Sequence, residues 1–246
     1  MKYGRSPGLS GYELNEDVSN AQYLADIVNT LKTQFPWYQK LTTAEKYEFA
    51  NRTYYIRKSK TFHGMENFVL EDKHEIILSA TLAQLTFGLK KNFELPSFEL
   101  IHIYPSTFHS KLLEQEVKGL TLGNGRIFIS WQHFEEGHED DDDKIHVGLH
   151  EFAHAMMIEY QHFQYVSPWK KWSYIGERMM TEIRTRETHF FRKYGATNIH
   201  EMWAVTVETF FEQPQEFRIQ HPDFYYATVA MLNQDPCARM EILETI

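Results

Sequence analysis

A small β-sheet feeding a mostly helical second half, an α+β arrangement, is the fold predicted for these 246 residues. Three observations predict it. The stretch SFELIHIYP (97–105) alternates, is rich in Ile and aromatic residues and stops at Pro105, so it reads as a strand. GLTLGNGRIFISW (119–131) carries two β-like runs around Gly123-Asn124-Gly125, a hairpin signal. Helix-length patterns then follow over 145–160, 172–192 and 198–212, the last stopped by Pro214. Strands that cluster, instead of alternating with helices, predict segregated elements.

The other elements fall in order around these. Residues 1–19 lack the apolar run of a signal peptide and read as a flexible lead-in, leaving 20–246 as one domain. Residues 20–34 carry a helical pattern, and Thr42 with Glu45 has the spacing of a capping box that starts the next helix. KHEIILSATLAQLTFGL (73–89) is long and apolar enough for a buried helix ending near Gly88. Residues 135–143 read as a solvated acidic loop, because like charges repel and resist packing. HPDFYYATVAMLNQDP (221–236) closes the chain.

Composition narrows the function. Hydrophobic residues make up 42% and aromatic residues 15%, enough to fill a sizeable core. A net charge of −9 without a Lys/Arg cluster argues against a nucleic-acid partner. No run of about 18 apolar residues spans a membrane within this chain. The single cysteine, Cys237, excludes an intrachain disulfide and suits a reducing, cytoplasmic location.

The chemistry sits in KIHVGLHEFAHAMMIEYQHF (144–163). On a helix, His150 and His154 share a face about one turn apart, so both imidazoles can reach one ion. Glu151 points beside that ion, where it can deprotonate a zinc-bound water. Flanking Phe152, Ala153, Ala155, Met156 and Ile158 would bury the helix, and bare imidazoles in a core need partners. A third ligand is required. Glu159, five beyond His154, lies on another face. Glu201 and Glu208, seven apart in an apolar helix, share one face, and spacing alone leaves both open. Asn198 with Glu201 also has capping-box spacing.

LHEFAH together with YGATNIHEMWAVTVETFFEQP resembles the Mlc titration factor A peptidases, and more distantly the anthrax lethal factor catalytic domain. Further segments extend the resemblance over most of residues 36–238, among them EIILSATLAQLTFGL, IHIYP and FISW. It implies a zincin-like metallopeptidase fold with one zinc per chain, acting on a peptide or protein substrate. His150, His154 and Glu201 would hold the zinc and Glu151 would be the general base. Tyr194, seven residues before Glu201 as in the family, would stabilise the transition state. Glu208 would orient a ligand imidazole through its remaining N–H. The family's namesake sequesters a transcriptional repressor, so a partner-regulating role is the alternative. Two positions depart from the family pattern: Met157 stands where Asp is usual, and His146 where Asn is common.

Overall fold

The structure, a computed structural model, describes residues 18–89, 94–139, 144–162 and 166–238. Most of the expected lead-in (1–17) and the DDDD segment (140–143) lie outside the described residues.

Helices α1 (Val18–Gln34), α2 (Pro36–Gln39) and α3 (Thr43–Ser59) come first. The capping box is formed: Thr42 Oγ1 accepts from the Glu45 N–H at 3.3 Å, and Glu45 Oε2 accepts from the Thr42 N–H at 2.9 Å. Helix α4 (Asp72–Thr86) is buried at every position from Ile76 to Thr86 and packs against α1, α3 and α6 (Val147–His162). Two of its buried hydroxyls are satisfied within the helix, Thr81 donating to the Ile77 carbonyl and Thr86 to that of Leu82.

The sheet has the order β1 (Thr61–Gly64), β2 (Leu100–Tyr104), β6 (Arg126–Ser130), β5 (Gly119–Leu122). The pairs β1–β2 and β2–β6 are parallel, whereas β5 closes antiparallel against β6 as the predicted hairpin. Gly125 turns it at φ 85°, donating its N–H to the Leu122 carbonyl at 3.1 Å, a conformation that glycine adopts without steric cost. Facing pairs Ile101–Ile127 and Ile103–Ile129 line the buried side, where β5 and β6 meet α6. A separate two-stranded ribbon, β3 (Phe108–Ser110) and β4 (Gln115–Val117), leads into β5.

Three expectations need correction. The strands are not all clustered: β1 precedes α4, which crosses over to the parallel neighbour β2. Parallel strands require such a crossover. Residues 135–139 of the expected acidic loop are the second half of helix α5 (Trp131–Glu139). Trp131, Phe134 and Gly137 lie at helical spacing and are buried, while Glu135, Glu136 and Glu139 face solvent. The third correction concerns the helix expected over 172–192. Helix α7 (Val166–Thr185) starts earlier and stops sooner, because the following segment turns Phe191 into the core and brings Arg192 to Glu208.

The chain finishes with a 3₁₀ turn (Lys193–Ala196), α8 (Ile199–Glu212), α9 (Pro214–Gln220) and α10 (Pro222–Leu232). Asn233, left-handed at φ 49°, stops α10 and donates its side-chain amide to the Gly88 carbonyl. One cluster of buried apolar residues runs from Ile27 to Cys237. No described helix is long and apolar enough to cross a membrane.

Candidate metal centre

Two helices build the site. On α6, Leu149, Phe152, Ala153, Met156 and Met157 are buried, which fixes the helix and turns His150 and His154 towards a cleft of about 600 Å³. Met157, expected as a departure from the resembled pattern, is a core residue. Helix α8 is buried continuously from Met202 to Phe211 and locked to α6 by the Trp203 indole N–H, which donates to the Ala153 carbonyl at 2.8 Å. The Asn198 side chain accepts from the His200 and Glu201 N–H groups at 2.9 and 3.0 Å. Glu201 does not reach back to complete a capping box; its carboxylate turns to the histidines.

His150 Nε2 lies 3.1 Å from His154 Nε2. Glu201 Oε2 lies 3.2 Å from the first and 3.5 Å from the second, yet makes no well-directed hydrogen bond. These three residues form the one group among the described residues with ligand atoms close enough to hold a metal ion. Tetrahedral zinc with bonds of about 2.0–2.2 Å separates its ligand atoms by roughly 3.3–3.6 Å, so the donor set fits with small adjustments.

Glu208 does not join them. Its carboxylate, almost wholly buried, faces His150 Nδ1 at 3.1 Å, accepts from the His146 main-chain N–H at 3.0 Å and pairs with Arg192. With Nδ1–H donating to Glu208, neutral His150 presents a lone pair at Nε2, as a metal ligand must. Burial opposes a charge on His150, but Glu208, Glu201 and Glu151 outweigh it and raise its pKa to about 10. Burial also acts upward on Glu201, and the contacts with His150 and His154 more than reverse it, holding the carboxyl well below its usual range. The pocket thus favours a positive charge, which a proton or a cation can supply.

Glu151 is buried beside the ligands, and the Thr121 hydroxyl lies 2.8 Å from its Oε2 and 2.9 Å from its main-chain oxygen. Burial raises its pKa, with the neighbouring histidines and Thr121 acting against it. Tyr194, on the 3₁₀ turn, is half-exposed, its ring 6.0 Å from that of His150. Burial, then the Glu201 and Glu151 charges, pushes its pKa up to about 12, so the phenol keeps its proton and remains a donor. Glu159 is placed elsewhere, its Oε1 accepting from the Ser97 N–H at 2.6 Å.

Sequence reasoning missed Thr121 and Arg192, which reach the site from other elements. It saw His146 only as a departure. His146 precedes α6, and its Nδ1 accepts from the Leu149 N–H at 3.4 Å, the cap position for which Asn is also suited. Burial, with His138 nearby, holds its pKa down at about 3, so that lone pair is kept.

A family model described as "Glucose-regulated metallo-peptidase M90" matches residues 12–232. That agrees with the resemblance to the Mlc titration factor A peptidases. An uncharacterized protein of Synechocystis sp. is 24% identical over 217 residues, covering 79% of this chain and 78% of its own length.

Proposed function

Because the chain belongs to the glucose-regulated metallo-peptidase M90 family, we propose that it is a zinc-dependent metallopeptidase hydrolysing peptide bonds. The observation that carries this reading is the trio of ligand atoms from His150, His154 and Glu201, separated by 3.1, 3.2 and 3.5 Å. Imidazole nitrogen with one carboxylate is a donor set that catalytic zinc accepts. When bound, zinc supplies Lewis acidity that activates water and polarises a carbonyl.

The chain's own residues supply the rest. Glu151 takes the proton from the attacking water as general base, a task suited to a carboxylate whose pKa is raised by burial. Tyr194, protonated at neutral pH, donates to the oxyanion that develops on the substrate carbonyl. Glu208 holds the His150 ring in orientation and tautomer. In this reading residues 20–246 form one catalytic domain, Cys237 suits a cytoplasmic setting, and the lethal factor catalytic domain is a distant relation. A peptide or protein is the partner expected in the cleft.

The competing reading is a regulator that sequesters a transcriptional repressor or similar protein, with weak or incidental hydrolysis. A pure binding module needs neither Glu151 nor Tyr194 near the ligand trio. Zinc content of protein purified without added metal, measured with cleavage of a peptide library, separates the two. Near-stoichiometric zinc is expected, lost in His150→Ala. Glu151→Gln should keep the metal while turnover falls by about 10² or more. Full zinc retention in His150→Ala, or undiminished turnover in Glu151→Gln, defeats the assignment.

A further inference from the structure

Strand β5 is the edge of the sheet, and its residues alternate between two faces. Gly119 and Thr121, two apart, share the face that carries their partners Ile129 and Ile127, the buried face towards α6. Both meet the same side chain. Thr121 Oγ1 stands 2.8 Å from Glu151 Oε2. At Gly119, an added Cβ would lie 2.4 Å from Glu151 Oε1, 2.7 Å from its Cγ and 2.8 Å from its Cδ. The Glu151 carboxylate therefore occupies space that any other residue at 119 would fill. Glycine weakens a strand interior, and a close approach is a physical reason for keeping one there.

From this geometry we infer that Gly119 and Thr121 are positioning residues for the reaction, forming a seat that fixes the Glu151 carboxylate. Gly119 provides the room and Thr121 the donor. The Thr121 hydroxyl has one hydrogen and two oxygens of Glu151 in reach. An ionised carboxylate is the stronger acceptor, so the hydrogen goes to Oε2 and Oε1 is left to take up a proton. A carboxylate with free rotation would spend much of its time out of reach of the water it must deprotonate, whereas a seated one begins in place. The inference rests on Glu151 acting as general base, and it adds two residues whose side chains need not touch substrate.

The test compares Thr121→Val, Thr121→Ser and Gly119→Ala with the wild-type protein, all zinc-loaded. Thr121→Val should lower kcat by about 10-fold or more, the scale of a lost hydrogen bond to a charged group, with KM within about two-fold. Zinc content should not change. Thr121→Ser should restore most of kcat, which a purely structural role for the threonine methyl would not predict. Gly119→Ala should also lower kcat. Crystal structures of the metal-free variants give a readout independent of activity: the Glu151 carboxylate should leave its wild-type position in Thr121→Val and Gly119→Ala. An unmoved carboxylate in both, or wild-type kcat in both, overturns the seat. Failure of the proposed function looks different, because Glu151→Gln would then keep wild-type turnover while the carboxylate still shifts in the seat variants.

Discussion

At the scale of single residues, the different roles proposed for Glu201 and Glu208 rest on their neighbours. Seven residues apart on one helix, both face α6, and their spacing cannot separate ligand from supporter. Three donors claim Glu208: a ring nitrogen, a main-chain N–H and a guanidinium. Glu201 Oε2 has contacts to two ring nitrogens and no well-directed hydrogen bond, which leaves its lone pairs for an ion. Glu208→Ala should therefore weaken zinc binding by roughly 10–100-fold, the usual effect of losing a group that orients a ligand histidine. It should also cost about 1–3 kcal/mol of stability by leaving the buried His146 N–H without its acceptor, and denaturant titration of the metal-free variant measures that separately. Tyr194→Phe should lower kcat with little change in KM, since a bond to the developing oxyanion is made chiefly in the transition state. A change confined to KM in steady-state kinetics would recast Tyr194 as a substrate-binding residue. His150, Glu151 and His154 were legible from spacing alone. Thr121 and Arg192 were not, because each approaches from a segment with no periodic link to the motif.

Among the elements, long ones with strong patterns were readable and short ones were not. Helices α4, α6 and α8 bury long apolar runs, and the β5–β6 hairpin has a glycine turn, so each announced itself. Strand β1 has four residues and β3 and β4 have three each, too short for alternation to register. Helix α5 was misread for another reason. Its three acidic side chains are interleaved with the buried Trp131, Phe134 and Gly137, and the apolar spacing was lost among charges. Gly137 also makes room for the following segment, since a Cβ there would meet the Ile145 carbonyl oxygen at 2.2 Å. Neutralising the exposed face by Glu135→Gln, Glu136→Gln and Glu139→Gln should flatten the ionic-strength dependence of KM for charged peptides and leave kcat within about two-fold, because exposed charges act over roughly a Debye length. A collapse of kcat with the fold intact would give α5 a role at the site.

For the whole molecule, the charges at the metal centre make stability depend on pH. Burial alone would lower the His150 pKa, but its carboxylate neighbours raise it from 6.5 to about 10. A group raised in this way contributes stability that is fully present below about 6.5 and is lost as pH rises through about 10. The melting temperature of metal-free protein should accordingly fall across that window, while zinc, replacing the proton, should flatten the dependence. Thermal scans with and without chelator check this, and His150→Ala should abolish the difference. The division of the ligands between α6 and α8, with α7 between them, also bears on how the protein is made. A nascent chain leaves the ribosome N-terminus first, so both imidazoles emerge before the carboxylate that completes the set. Two ligands grip an ion less firmly than three, and the third arrives only once α8 has docked against α6. With the proposed ligand set, metal capture would wait until α8 is in place, and an ion bound to the folded form would act as a latch that slows unfolding.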